Sequence, residues 1–125
     1  MSNPSDTATS IELPRRFLPD FLLLSLQSLG RSYGYELCQA VQAKGLSADL
    51  AAVYRALQSL QRRSLVASTW EPSDSGPDRR VYELTPVGHD AARESAAGLA
   101  MVRDGLDAAL TEFRVAARVA DPIGG

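Results

Sequence analysis

Cysteine and histidine are almost missing from this chain of 125 residues: each occurs once, as Cys38 and His89. One cysteine excludes an intramolecular disulfide, and one cysteine with one histidine leaves too few soft ligands for a zinc site. No metal and no cofactor is therefore expected, and a reducing compartment, the cytoplasm, fits the cysteine usage. Long apolar runs are missing too. The most apolar stretch is Phe21 to Leu24 with Leu26 and Leu29, far short of the roughly 20 residues that cross a bilayer. The opening Met1 to Ser10 has no basic segment followed by an apolar one, so it does not read as a signal peptide. Residues 1–13 are expected to form a disordered tail. Catalytic context is also lacking: no Ser, His and Asp arrangement, no glycine-rich phosphate loop, and no carboxylate cluster outside amphipathic helices. The chain is not expected to be an enzyme, and no residue is assigned a catalytic role.

An excess of positive charge is the last absence. Lys and Arg number 13 against 15 Asp and Glu, a net charge of -2, so the whole chain offers no electrostatic argument for a nucleic-acid partner. Local placement differs slightly. Residues 31–85 carry seven basic against six acidic side chains, and the residues that follow carry four against six. With 45% hydrophobic residues, the chain has enough apolar material for one core and is too short for two.

What is present is a succession of helical and extended patterns. Arg15 to Leu29 has leucines and phenylalanines around most of a helix, which must be buried on more than one side. Pro14 and Pro19 fit before it or in its first turn, and Gly30 stops it. A second helix is predicted from an N-cap at Ser32, with Tyr33, Leu37, Cys38 and Val41 at helical spacing and an end at Gly45. A short joint from Lys44 to Ala48 leads to a third helix, Leu50 to Arg63. Asp49 is its predicted cap, Val53, Leu57 and Leu60 its inner stripe, and Ala51, Arg55, Gln58, Ser59 and Arg62 its outer face.

Two extended runs, Leu65 to Trp70 and Arg79 to Leu84, read as a hairpin with a long polar tip from Glu71 to Asp78. Thr85 and Pro86 then look like an N-cap and first helical residue of a last helix reaching about Arg118. In it Leu99, Val102, Leu106, Ala109, Phe113 and Ala116 recur at steps of three and four, as in a coiled-coil seam. The fold class is therefore mainly α with a small two-stranded β-hairpin: a winged helix-turn-helix over residues 14–85, a C-terminal dimerisation helix over 86–118, and a flexible tail over 119–125.

The order of elements carries a functional expectation. A major groove about 12 Å wide admits one α-helix, braced by the helix before it, while a hairpin reaches a neighbouring groove. Ser32-Tyr33-Gly34-Tyr35-Glu36-Leu37, Val53-Tyr54-Arg55-Ala56-Leu57, Ser64-Leu65-Val66 and Tyr82-Glu83-Leu84-Thr85-Pro86-Val87-Gly88 occur in that order. Together they resemble the successive signatures of PadR-family transcriptional regulators, over about Arg15 to Phe113. The resemblance implies a dimeric repressor with a winged-helix DNA-binding domain and a C-terminal dimerisation helix, of the branch with the shorter tail. Arg15-Arg16-Phe17-Leu18-Pro19 and the hairpin are also similar to a group labelled poly-β-hydroxybutyrate-responsive repressors.

Candidate DNA-contacting residues follow. Arg55 is suited to a guanine edge. Tyr54 either packs or donates to a phosphate, and one of Tyr33 and Tyr35 is expected at the DNA backbone with the other in the core. Ala51 and Ala52 open the inserted helix, where the family has a small residue and a Ser or Thr, so anchoring there falls to backbone N–H groups. Gln58, Ser59 and Arg62 lie further along, and Arg79 and Arg80 are expected to neutralise phosphates. Ser64 stands where the family has a glycine, and Glu71, Asp74 and Asp78 place repulsive charge on the wing.

The dimer is expected to bury Phe17, Phe21 and Leu22 with Leu99, Val102, Leu106, Ala109, Leu110 and Phe113. An effector pocket, for a small molecule the sequence does not name, is placed among Phe17, Phe21, Leu106 and Phe113. Trp70 is read as strand-end packing with a cavity wall as the alternative, Cys38 as a small buried hydrophobe or a redox sensor, and His89 as exposed and without a role. The rival to DNA-binding regulation by a homodimer is a winged-helix protein-interaction module, an antirepressor or adaptor, favoured by the two alanines and the acidic wing.

Overall fold

The computed structural model describes residues 10–120. In chain order its elements are β1 (Ile11–Glu12), one turn of 3₁₀ helix (Arg15–Phe17), α1 (Leu18–Leu29), β2 (Arg31–Tyr33), α2 (Gly34–Gln42), β3 (Leu46–Ser47), α3 (Leu50–Arg62), β4 (Val66–Ser73), β5 (Gly76–Leu84) and α4 (Pro86–Ala120).

Helix α1 is the central post. Pro19 sits in its first turn, where a missing N–H costs no intrahelical bond. Its last turn closes with the Gly30 N–H donating to the Leu26 carbonyl at 2.8 Å, Gly30 holding a positive φ of 82°. Leu18, Leu22, Leu23 and Leu26 are buried against Leu37 of α2, Val53, Leu57 and Leu60 of α3, and Val66, Tyr82 and Leu84 of the hairpin. Each such side chain removed from water stabilises by about 1.5–3 kcal/mol. Leu22 is wholly buried here, which corrects its assignment to a dimer surface: a residue spent on the protomer's own core has no face left for a partner.

Three departures from the sequence expectations shape the site. The sheet has three strands, in the order β2-β5-β4, because Arg31–Tyr33 pairs with Val81 to Glu83 before α2 begins. Ser32 is therefore not a helix cap. It lies buried in β2, and its hydroxyl donates to Glu36 Oε1 at 2.6 Å. The wing has no long loop: its strands continue through Ser73 and Gly76 and turn at Asp74 and Ser75, with a register shift between Glu71 and Ser73. Finally, Ile11–Glu12 pairs in parallel with Leu46–Ser47, and the Leu13 N–H donates to the Ser47 carbonyl. The tail expected to run to residue 13 therefore straps the α2–α3 joint at its last residues, and residues 1–9 and 121–125 lie outside the described ones.

Two close approaches lock the frame. Ser64 takes a positive φ of 62° after α3. Its N–H donates to the Gln61 carbonyl, and the Leu65 N–H reaches back to the Leu60 carbonyl. This is a Schellman closure made by serine in place of glycine, at the cost of a left-handed conformation. Thr85 then joins the two ends of the hairpin: its hydroxyl donates to the Ser64 carbonyl and accepts from the Gly88 N–H, capping α4. Gly88 packs so tightly here that a Cβ would overlap the Leu65 carbonyl. The Thr85-Pro86-Val87-Gly88 sequence is thus a cap, a first-turn proline and a close-packing glycine in series.

Candidate nucleic-acid interface

Helix α3 has a strongly divided surface. Ala52, Val53, Leu57 and Leu60 are buried, whereas Ala51, Tyr54, Arg55, Gln58 and Arg62 are exposed and Ser59 is half-buried. Ala52 therefore belongs to the core and is withdrawn from the DNA-contacting set, since its methyl group is buried in the same apolar cluster as Val53 and Leu60. Asp49 precedes the helix without a side-chain cap. With alanine in the exposed first-turn position, only backbone N–H groups point out of that end.

Tyr54 explains a glycine. Its ring lies over the start of α2, where a Cβ on Gly34 would come within 2.5 Å of Tyr54 Cε1. Gly34 thus admits the tyrosine, which remains 40% exposed. Of the two flanking tyrosines, Tyr35 is exposed, while Tyr33 is half-buried beneath the Arg79 guanidinium, 4.2 Å from its ring centre.

The wing separates two arginines that the sequence places side by side. Neighbouring residues of a strand face opposite ways. Arg79 shares one face with Tyr33, and on that face Arg31 forms an ion pair with Glu71. One of the three wing acids is thereby neutralised. Arg80 lies on the other face, towards α3. Its Nε donates to Ser68 Oγ at 2.9 Å, Ser68 Oγ donates to Gln61 Oε1 at 3.0 Å, and the guanidinium stands 5.7 Å from the Trp70 ring. Trp70 is 64% exposed. It is neither core packing nor a cavity wall, because the strands run past it and carry it beyond the end of the core. The sequence pattern singled out Trp70 but not its cross-strand pairing with Arg80, which only the register of the hairpin sets.

Other candidates resolve simply. Cys38 is buried and its Sγ donates to the Ala48 carbonyl at 3.0 Å. Burial, reinforced by the negative charge of Asp49, raises its pKa and keeps the thiol protonated. Burial likewise raises the pKa of Tyr82, partly offset by Arg80. His89 is exposed, and its Nδ1 lies 2.7 Å from Gln27 Oε1. No group of residues suited to hold a metal ion occurs among the described residues, and none of their helices is long and apolar enough to cross a membrane.

Phe17 and Phe21 do not share a pocket. Phe21 lines a groove of about 530 Å³ with Leu24, Leu29, Lys44, Ala92 and Arg93. Phe17 lines another of about 380 Å³ with Leu23, Leu99 and Val102. Leu106 and Phe113 line neither, so the effector pocket expected from all four is corrected: α4 carries the last two away from α1. From Met101 onward every described residue of α4 is exposed, including Leu106, Leu110 and Phe113.

Residues 22–94, the winged helix and the first turns of α4, match the model of the transcriptional regulator PadR-like family. The chain belongs to the PadR-like family of transcriptional regulators. A PadR-family transcriptional regulator from Eggerthella lenta is 29% identical, with a TM-score of 0.62 over 77% of this chain and 84% of that one. A PadR-family regulator from Clostridium difficile shares the fold at 24% identity and a TM-score of 0.62, over 74% of this chain and 97% of its own. Pex from Synechococcus does so at 24% and 0.63, over 71% and 81%. Comparison with curated proteins gives no match. The family match ends at Glu94, before the stretch from Met101 onward in which every described residue of α4 is exposed.

Proposed function

We propose that this PadR-family regulator is a homodimeric repressor that holds a pseudo-palindromic operator with two copies of α3 and the wing. The observation that carries the proposal is the distal half of α4. Val102, Leu106, Leu110 and Phe113 are exposed along one stripe, with Ala109 beside them, on a helix that has left its own domain. Such a stripe is stabilised by a second copy, as in a coiled-coil seam. The groove containing Phe17, Leu99 and Val102 continues the stripe onto the body. A twofold dimer would place its recognition helices about one DNA turn, roughly 34 Å, apart. On each of them Arg55 would read a base edge, with Tyr54, Tyr35, Gln58, Ser59, Arg62, Arg79 and Arg80 around it.

An effector would act from the groove of Phe21, Lys44 and Arg93, which touches α1, α2 and α4 together, and shift the two winged domains relative to each other. Sedimentation analysis together with a gel-shift titration on the chain's own upstream region tests the reading. A concentration-dependent dimer that shifts this DNA, less so with added salt, is expected. A folded protein that stays monomeric, or that shifts no DNA even at low salt, sinks it. The second outcome would favour the protein-interaction module, which exposed Ala51, Asp74 and Asp78 still support.

A further inference from the structure

The single tryptophan is the most exposed large aromatic side chain of the winged body, and nothing in the protomer explains its position. Alternation along the hairpin puts Trp70 and Arg80 on the same face as Ser68 and Tyr82, directly opposite one another in the register. That face looks onto the C-terminal half of α3. Between them lies a cleft of about 380 Å³ lined by Gln58, Gln61, Arg62 and Arg80. Two guanidiniums and two amides meet there with no carboxylate. Arg80 is also fixed in place. Its Nε is used by Ser68, which is itself held by Gln61, and Arg80 lines the cleft with no hydrogen bond from its terminal nitrogens to another described residue. An immobilised arginine loses little rotamer entropy when it binds an oxyanion, and its planar fork suits a phosphate.

Resting on the reading of α3 and the wing as the DNA-binding face, we propose that this cleft is a backbone clamp. Arg80 and Arg62 hold one DNA phosphate, and the Trp70 indole lies against the adjoining deoxyribose and base edge. The wing therefore contributes an apolar contact as well as charge, and Ser68 and Gln61 are positioning residues that aim Arg80. The chemistry is complementary: a polyanion supplies the charge that the cleft lacks, and the sugar face covers apolar indole surface that is otherwise hydrated. Arg79, on the opposite face above Tyr33, takes no part in the clamp.

Because a phosphate clamp is indifferent to sequence, a mixed-sequence duplex at low salt is a sufficient probe. Trp70 is the only tryptophan, so the intrinsic emission of the full chain reports on this site alone. The duplex should quench or shift that emission in step with binding measured by anisotropy. Trp70→Ala should weaken binding about tenfold. Arg80→Ala should weaken it and reduce the slope of log affinity against log salt by about one. Ser68→Ala should weaken it while leaving that slope unchanged, because the charge remains, and Ser68→Thr should restore it. Arg79→Ala, whatever it costs in affinity, should reach the same emission change once the duplex is saturating. Circular dichroism of each variant controls for folding, and Trp70→Phe, which keeps a ring, should bind better than Trp70→Ala. If wild type binds the duplex but the emission is unmoved and the alanine variants at 70 and 80 bind as tightly, the clamp is wrong while the DNA-binding reading stands. If wild type binds no duplex at low salt, both fail. Emission that responds to protein concentration and not to DNA would assign Trp70 to a protein contact and overturn the proposal.

Discussion

The winged body and the distal part of α4 are built on opposite principles. From Leu18 to Ala92 all four helices and both strands of the hairpin give side chains to one core, and the close approaches at Gly34 and Gly88 leave no room for a methyl group. From Met101 to Ala120 the chain is helical and every residue is exposed. The helix contains Gly98 and Gly105 and several exposed apolar side chains, which a solitary helix in water would not favour. The body is thus specified within one protomer, while the distal helix carries an apolar stripe that its own protomer leaves uncovered. The seam at Ser95, whose hydroxyl donates to Asp20 at 2.7 Å, is the last side-chain hydrogen bond that ties α4 to α1.

The sharpest way to break this contrast is to treat the two regions alike. Leu57→Ala should lower the unfolding free energy by about 2–5 kcal/mol in urea, the cost of a core cavity. A smaller loss than that caused by Leu110→Ala would show that the body is not the better-packed region. Next, Leu106→Glu with Phe113→Glu should raise the dimer dissociation constant about a hundredfold or more, since charge in an apolar seam is costly to desolvate. The far-ultraviolet spectrum of the body should remain, and sedimentation at several concentrations reads the loss. If the double variant stays dimeric, the stripe is not the seam.

Smaller effects sharpen the join between the regions. Gly88→Ala forces a methyl group onto the Leu65 carbonyl and should destabilise by about 1–3 kcal/mol, seen as a lower melting temperature. Ser64→Gly should do the reverse, by about 1 kcal/mol, because it removes the left-handed strain after α3. A decrease in stability would mean that the serine side chain matters more than its backbone. Last, Cys38 should react slowly with a thiol reagent at pH 8 and readily once unfolded, because burial and Asp49 hold its pKa up. Fast reaction of the folded protein would show that the α2–α3 joint opens.

Much of the site was legible along the chain. The apolar spacing of Val53, Leu57 and Leu60 defined which side of α3 is hidden, and so which residues it offers outward. Thr85 and Pro86 announced the start of α4. Other features depend on contacts distant in sequence and left no local mark. Nothing in Arg31-Ser32-Tyr33 by itself distinguishes a helix start from a third strand, because the partner that decides it, Val81 to Glu83, is about 50 residues away. Serine caps helices well in general, yet here β-pairing took its backbone first. The acidic wing likewise looked repulsive until Arg31 was found beside Glu71.

The sequence by itself determined the number and order of helices, the hairpin, the buried stripe of α3 and the apolar stripe of α4. Those follow from periodicity and capping, which act over a few residues. Only the tertiary structure decided that Leu22 and Ala52 belong to the core, that Arg79 and Arg80 face opposite ways, and that Trp70 stands in the open above a basic cleft. The physical reason is that burial and orientation are properties of pairs of elements. A side chain's neighbours across a sheet or between helices are set by register and packing, which no local pattern encodes.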